Sequence, residues 1–531
     1  MMCRRTPRWR PAVTRAISVR SAARCAARLL AAALCAAVPT GCGDDAEPLS
    51  ARFVSAPAQR GEPDVANFRA IVDAGLVPAP EVLEPVSFFA EHALELPPAD
   101  CGDALCVHAS LAVASRFAGG NWTMAFVGMN TALERSALAA APVHVALVID
   151  ETAPLWRIGG AVRTALLALV AALRPIDRVT LVPVRRDSAE PVLVSAAPDA
   201  AELAAAIRAL YTAPTDAAAN YEGLAIGADA LDGSPPGTLR HLVFLTSGAA
   251  DSGVTSHARI VALVEAMAQS GVSVSVLGAA LDADYDARLP AALGALGAGR
   301  YVRARSLEAL TAALQLEGER VVAPIATEVT LEFVPARGYR VGRAYGAPSA
   351  LVDPTRVAIA APLLFLGHGD DARGLGGIGA AGLFVELIGD SAAVIDAGAP
   401  AYTASATWRT ASGEPHSRTL VVVNSLAPGE NPPDAVARFG DSSRGKPYVM
   451  LNLYLALHFV ADFYARGDCP AALGLADQVM PGVERWQLGG ARPDIAADLR
   501  LLSRLRENVA RPCAGRAPVA PDDFAGGCMA L

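Results

Sequence analysis

The carboxylate of Asp150 is the group in this chain that is best placed for chemistry. It ends the apolar run VHVALVID (143–150), and Glu151 and Thr152 follow it in a polar turn before a long helical pattern. Such a run is typical of a parallel α/β sheet that delivers a side chain to its ligand-binding edge. Carboxylate and hydroxyl oxygens suit a hard cation such as Mg²⁺, so this stretch raises the question of a metal site.

Other patterns with catalytic potential lack the surroundings that their chemistry needs. The GLGGIG stretch (374–379) has no strand directly before it and no helix directly after it, as a dinucleotide site requires. Ser443 and Lys446 have SxxK spacing, but Pro447 disfavours helical geometry at the lysine. The eight histidines form no HExxH pair, and no GxSxG motif occurs. No enzyme class is indicated.

Strands and helices alternate regularly around Asp150, over residues 141–320. Apolar runs such as LRHLVFLTSG and VSVSVLGAAL are separated by helical patterns of ten or more residues. Helical crossovers of this length require a parallel sheet covered on both faces. The fold class predicted here is therefore α/β, with a doubly wound, mostly parallel sheet.

Different patterns flank this domain on both sides. Residues 66–140 combine an amphipathic helix with two alternating runs and predict a small α+β module. Residues 321–435 contain extended runs between Gly, Pro and Asp turns and predict a β-rich extension, whereas residues 436–531 have helical period. With 531 residues, the chain is long enough for several such domains.

The N-terminal residues 1–41 have the pattern of an export signal. They hold eight arginines and no acid, and the apolar stretch LLAAALCAAV leads to PTGC. The segment resembles a bacterial lipoprotein signal, although Pro39 stands where an aliphatic residue is usual. We expect cleavage before Cys42, lipidation of its thiol, and a tether over residues 42–65; ordinary cleavage without lipidation is the alternative. The expected location is the cell envelope, with membrane contact through the lipid anchor.

The charge of the exported chain argues against a nucleic-acid partner. The whole chain has a formal net charge of -8, and loss of the eight signal arginines would take it to about -16. An acidic surface repels a phosphate backbone.

The cysteines predict disulfides rather than a metal site. Cys101 and Cys106 lie close enough in sequence to bridge a tight loop, and two of Cys469, Cys513 and Cys528 can form a second bridge. No second CxxC or HxxxH lies near either set, so a zinc site is disfavoured. The pairing of the three C-terminal cysteines stays open.

The order of these segments resembles the bacterial von Willebrand factor type A (vWA) lipoproteins, which carry an N-terminal module, a vWA domain and a β-plus-helical extension. The matching stretches are ANFRAIVDAGLVPAPEVL (66–83), VHVALVID (143–150), RYVRARSLEAL (300–310) and GGIGAAGLFVELIGD (376–390). The resemblance implies a protein-binding role for the vWA-like domain.

The resemblance also implies where a metal-ion-dependent adhesion site would lie. That site uses Asp-x-Ser-x-Ser after the first strand, a Thr five residues before a Gly-Leu pair, and an Asp-Gly after the fourth strand. Here Asp150 and Thr152 are followed by Pro154, Ala218 takes the Thr position, and Ser247 takes the Asp position. Most of the ligands are lost, so we expect a degenerate site without a cofactor.

The alternative is a non-standard Mg²⁺ site built from Asp150, Thr152 and Ser247 with waters. Glu151 or Asp216 could supply a further carboxylate from a shifted loop. One carboxylate and two hydroxyls offer little charge against the dehydration of Mg²⁺.

The sequence thus predicts a non-catalytic envelope protein that binds a protein partner without metal. The binding surface is expected at Asp150, Glu151, Thr152, Ala218 and Ser247. Three alternatives remain open: Mg²⁺-dependent adhesion, an enzyme of unknown type, and binding by the C-terminal extension with the vWA-like domain as a spacer.

Overall fold

The structure is a computed structural model. It describes residues 65–83, 88, 89, 92, 96–115, 121–133, 141–186, 194–212, 215–248, 250–279, 285, 288–296, 298–345, 351–365, 382–390, 396–424, 445–487 and 492–514. The predicted signal (1–41), most of the tether, Cys42 and Cys528 lie outside these residues.

The strands fall into three sheets. In chain order they are β1 (Cys106–Ser115), β2 (Asn121–Asn130), β3 (Val143–Asp150), β4 (Arg178–Val184), β5 (Val194–Ala196), β6 (Leu239–Thr246), β7 (Val272–Ala279), β8 (Ala298–Ala304), β9 (Pro324–Pro335), β10 (Tyr339–Tyr345), β11 (Leu351–Asp353), β12 (Arg356–Phe365), β13 (Gly382–Gly389), β14 (Pro400–Thr410) and β15 (Pro415–Val423).

Some helices cover the six-stranded sheet, which contains β3, and others form a layer at the C-terminus. They are α1 (Val65–Asp73), α2 (Ala153–Trp156), α3 (Gly159–Ala171), α4 (Ala201–Ala209), α5 (Asn220–Asp232), α6 (His257–Gln269), α7 (Arg288–Leu296), α8 (Leu307–Val321), α9 (Gly445–Ala465), α10 (Cys469–Gln487) and α11 (Pro493–Ala510), with a short 3-10 helix at Pro80–Val82.

The six-stranded sheet has the order β5-β4-β3-β6-β7-β8. All neighbours are parallel except β5, which returns antiparallel to β4 as a hairpin. Strand β3 is buried at every position, because apolar cores lie on both faces of the sheet. The predicted doubly wound α/β fold is confirmed.

Helix α5 lies unusually close to this sheet because it presents two glycines to it. A Cβ on Gly223 would lie 2.5 Å from a methyl carbon of Val184, and one on Gly227 would lie 2.9 Å from Val148. Any larger residue would push the helix away. This close packing holds the N-terminal end of α5 beside the ends of β3 and β4.

The remaining strands form two antiparallel sheets that enclose one apolar core. Their orders are β1-β2-β13-β10 and β11-β12-β9-β14-β15. Strand β2 pairs with β13, with Gly128 opposite Gly382. The segment predicted as a separate module (66–140) therefore shares a sheet with the predicted β-rich extension (321–435), since an isolated hairpin could not bury its apolar face.

The C-terminal helices α9, α10 and α11 pack together, and α1 packs on α11 although more than 400 residues separate them. Asn508 donates from Nδ2 to the carbonyl oxygens of Val72 and Leu76. Helix α9 is long and apolar enough to cross a membrane by length and composition, but most of it is buried in this layer. Such burial is typical of a core helix.

Two disulfides stabilise the parts outside the parallel sheet. Cys101 and Cys106 close the short loop before β1. Cys469 and Cys513 join the start of α10 to the residues that follow α11, which selects one pair from the three C-terminal cysteines.

Candidate functional site

Asp150 lies at the point where the order of the parallel sheet reverses. From β3 the chain continues to β4 on one side, and later places β6 on the other side. The loops after β3 and β6 therefore diverge at their common edge, which is where open α/β sheets bind ligands. Asp150 and Ser247 lie on the two sides of this opening.

The carboxylate of Asp150 is wholly buried and accepts hydrogen bonds on both oxygens. The Thr152 N–H donates to Oδ1 at 2.8 Å, and the Ser247 N–H and Oγ–H donate to Oδ2 at 2.8 and 2.6 Å. The hydroxyl oxygens of Thr152 and Ser247 are 2.9 Å apart. The three side chains thus form a small closed network.

Burial raises the pKa of Asp150, because the low-dielectric surroundings disfavour its charged form. The hydrogen bonds from Ser247 and Thr152 act in the opposite direction and offset part of this effect. All of these donors are neutral hydroxyl and amide groups.

Glu151 points away from this network into the domain. Its Oε2 accepts from Arg185 Nε at 2.5 Å, and its Oε1 accepts from the Tyr211 N–H at 2.6 Å. The Glu151 side chain is fully buried, whereas about half of the Arg185 side chain is exposed. The buried acid therefore holds the guanidinium of Arg185 at the sheet edge.

Tyr211 braces the loop that carries Asp150 and Glu151. Its hydroxyl donates to the Asp150 carbonyl oxygen at 3.0 Å, and its ring packs on Gly159. Its φ of 58° lies in the left-handed region, which is unfavourable for an aromatic residue. Burial and the nearby charges of Asp150 and Glu151 raise the Tyr211 pKa well above its usual value, so the hydroxyl stays a donor.

Ala218 lies at the same edge and contributes its backbone. Its N–H donates to Asp251 Oδ1 at 2.7 Å, and its carbonyl oxygen accepts from the Ser252 N–H at 3.3 Å. The neighbouring Asp216 is exposed and pairs with Arg186 at 2.6 Å. The hydrogen bond from Arg186 lowers the pKa of Asp216.

The structure brings Asp150, Thr152 and Ser247 together, and it places Ala218 in an adjacent loop. Asp150, Glu151, Thr152 and Ala218 are all buried, while Ser247 is partly exposed. These residues were predicted as the binding surface. Because they are buried, they support the loops of the edge, and other side chains form most of its surface.

The oxygen atoms at this edge do not fit a Mg²⁺ ion. Mg²⁺ demands six oxygens in near-octahedral geometry, whereas Asp150, Thr152 and Ser247 supply one carboxylate and two hydroxyls that already bond to one another. Glu151 and Asp216, the candidate substitutes, are held by arginines. Over the described part of the chain, no group of three His, Cys, Asp or Glu side chains could hold a metal ion.

The exposed surface of the edge contains residues that the sequence patterns did not single out. Trp156 is 40% exposed one helical turn after Thr152, and Arg157 follows it. Arg185 and Arg186, directly after β4, are each more than half exposed. The signals available were the Trp that closes ETAPLW and the pair of arginines that closes VPVRR.

Two histidines of this domain, His144 and His241, lie at the other end of the strands. The His144 ring bonds to Ser234 and Thr180, and His241 Nε2 lies 2.9 Å from Glu317 Oε1. His144 precedes Asp150 by six residues of strand, which is about 20 Å. Neither histidine can act as a base beside Ser247.

Neither a protein-family model nor a curated protein matches this chain by sequence. Among solved structures, the chain is similar to a von Willebrand factor type A protein from Catenulispora acidiphila, with a TM-score of 0.51 and 14% sequence identity. The match covers 72% of this chain and 87% of that chain. This likeness shows that the chain has a vWA-type fold.

Weaker likenesses extend to two bacterial pilus proteins. The pilus adhesin SpaC from Lactobacillus rhamnosus GG gives a TM-score of 0.31 at 13% identity, over 62% of this chain and 49% of that chain. The vWF domain of the type V pili tip protein Mfa5 from Porphyromonas gingivalis gives 0.29 at 14% identity, over 34% of this chain and 95% of that chain. These scores are too low to carry an argument about function.

Proposed function

We propose that this protein is a non-catalytic binding protein of the cell envelope that holds a protein partner at the Asp150 edge of its vWA-like domain, without a bound metal. The proposal is supported by the position of the edge at the reversal of the sheet order, where α/β folds bind their ligands. An exposed tryptophan beside arginines is also typical of interface hot spots.

The observation that carries the proposal is the closed network of Asp150, Thr152 and Ser247. Its hydrogen bonds satisfy a buried carboxylate with neutral donors, so no cation is needed to hold the loops together. The edge is preorganised, and preorganised surfaces lose less entropy on binding.

The envelope location is part of the proposal and follows from the N-terminal sequence. Export and lipidation at Cys42 would place the chain at a membrane surface through the tether predicted over residues 42–65. Metabolic labelling with an alkyne fatty acid tests this step, because Cys42→Ala should abolish the label.

Photo-crosslinking of the full chain in its own cells tests the binding surface. A benzoylphenylalanine at the position of Trp156 should capture a protein partner, with or without EDTA. The same probe at Thr419, exposed on β15, serves as the control. Capture at Thr419 alone would contradict the proposal and favour binding by the extension.

The alternative is Mg²⁺-dependent adhesion, which is favoured by the fact that three oxygen-bearing side chains do lie together at this edge. In that case, partner capture at position 156 would require Mg²⁺ and would be lost in Asp150→Ala. Titration of the purified chain with Mg²⁺ would then show one tight site, which our proposal excludes.

A further inference from the structure

The geometry points to an acidic segment of a protein as the partner that the Asp150 edge binds, through the guanidinium groups of Arg185 and Arg186 and the ring of Trp156. This inference rests on the proposed function and adds the chemistry of the partner. We define these three residues as the arginine rim.

The first step is that Arg185 is held in place by a buried acid. The buried carboxylate of Glu151 accepts from Arg185 Nε and fixes the plane of the guanidinium, whose side chain is 55% exposed. A planar fork held in one orientation loses less entropy when it binds a carboxylate.

The second step is that Arg186 can exchange its partner. It pairs through two nitrogens with Asp216, whose side chain is largely exposed. An ion pair between exposed groups is weak, because water and salt screen it. The carboxylate of a binding protein can therefore replace that of Asp216 at low cost.

The third step is that the backbone brings the rim residues together. Thr152 bridges to Thr215, and the Thr215 hydroxyl accepts from the Arg186 N–H. Trp156 donates its N–H to the Thr152 carbonyl oxygen, so it lies one helical turn, about 6 Å along the axis, from Thr152. The backbone thus places Trp156 and Arg186 at the same edge of the sheet.

The fourth step is the contrast between the exposed arginines of the edge and the negative net charge of the whole protein. Among the described residues, the acids that pair with the rim arginines are Glu151, which is buried, and Asp216, which is exposed. The chain as a whole has a net charge of -8. Arginine side chains that are more than half exposed on an acidic protein favour a negatively charged partner at this edge and orient it during approach.

Fluorescence anisotropy of the full chain with two labelled peptides tests this inference. One twelve-residue peptide repeats Asp-Leu-Glu-Leu, and the other repeats Asn-Leu-Gln-Leu. We expect the acidic peptide to bind at least tenfold more tightly, to weaken with added salt and to be indifferent to EDTA. Equal affinities for the two peptides would overturn the inference.

Variants assign the binding to the rim. Arg186→Gln and Trp156→Ala should each weaken acidic-peptide binding at least fivefold, without a change in circular dichroism. Arg185→Gln would leave Glu151 buried without its cation, so Arg185→Lys is preferred, because it keeps the charge and removes the fork. It should weaken binding about threefold.

The control removes two arginine charges elsewhere, one more than Arg186→Gln removes. Arg356 and Arg409 are about half exposed and pair with Glu332 and Glu328 on β9. The double variant Arg356→Gln/Arg409→Gln should bind the acidic peptide like the parent. An equal loss in this control would show that net charge alone drives binding, and the inference would fall.

The crosslinking experiment separates this inference from the function on which it rests. A partner that is captured at position 156 equally well by the parent and by Arg186→Gln would keep the proposed function and overturn the acidic partner. Failure to capture any protein at position 156 would overturn both.

Discussion

Two regions of this protein bury a carboxylate completely and surround it with different kinds of groups. Asp150 in the parallel sheet accepts only from amide and hydroxyl groups of its neighbours. Asp498 in the helical layer lies between cations, 3.0 Å from Arg69 and 2.8 Å from the His92 ring. His92 also contacts Asp494, which pairs with Lys446. We call these five residues the helical ion cluster.

The two sets of surroundings shift the pKa values of Asp150 and Asp494 in opposite directions. Burial raises the pKa of Asp150 with no cation in its network. In the helical ion cluster, burial alone would lower the pKa of His92, but Asp494 and Asp498 outweigh it and raise that pKa to about 9. The bonds from His92 and Lys446 likewise outweigh burial and lower the pKa of Asp494. Neutral hydrogen bonds thus hold the Asp150 network, and ion pairs hold the helical ion cluster.

The largest effect is expected from breaking the helical ion cluster. Asp498→Ala removes the acid that lies between Arg69 and His92, so it should cost about 3–5 kcal/mol of unfolding free energy. Urea unfolding measures this value. Asp462→Ala removes an acid from the more exposed pair with Arg466 in the same layer and should cost less than about 1 kcal/mol. Equal losses of unfolding free energy in the two variants would refute the stabilising role of the helical ion cluster.

The next effect is a pH dependence that comes from His92. Its folded pKa of about 9 lies above the unfolded value of 6.5, so its stabilisation is complete below pH 6.5 and is lost as pH rises through 9. The loss should be roughly 3 kcal/mol over this window. Unfolding of His92→Gln at a series of pH values should lack this slope. A parent protein with the same stability at pH 6.5 and 9 would contradict the raised pKa.

A smaller effect is expected at Asp150. Asp150→Asn keeps an oxygen for Thr152 but loses an acceptor for Ser247, which should cost about 1–3 kcal/mol. The pH dependence at Asp150 comes from a carboxyl group. Because its pKa is raised in the folded state, folding favours the protonated form, and this contribution to stability is lost as pH rises above 3.8. Infrared spectra of the parent minus those of Asp150→Asn should show a carboxylic acid band that persists above pH 3.8.

The smallest effect is expected at the exposed pair of the edge. Asp216→Asn removes a carboxylate that pairs with Arg186, yet both side chains are more than half exposed, so the urea midpoint should not move. Binding of the acidic peptide should stay the same or increase, since Asp216 no longer competes for Arg186. Weaker binding would show that Asp216 itself contacts the partner.

Much of the parallel sheet could be predicted from local pattern. Runs such as VHVALVID are apolar throughout because both of their faces are buried, and the patterns of ten or more residues between them must be crossovers. The position of Asp150 at a strand end follows from the same pattern. The nearness of Ser247 follows from parallel strands, which end at the same edge.

The binding surface was harder to predict, because exposure is not a property of one residue type. Polar Glu151 and Thr152 follow a strand and would face solvent in most loops, but Tyr211 and Arg185 draw Glu151 inward. Trp156 belongs to a residue type that is usually well buried, yet it is exposed on a short helix.

The sequence by itself determined the parallel sheet, its alternation with helices, and the carboxylate at the end of β3, because these depend on period and on strand ends. Only the tertiary structure decided that β1 and β2 share a sheet with β13, that α1 packs on α11, and which donors surround Asp150 and Asp498. These features depend on contacts between residues far apart in the chain. The charge of a buried carboxyl group is set by such contacts, so it could not be predicted from its neighbours in sequence.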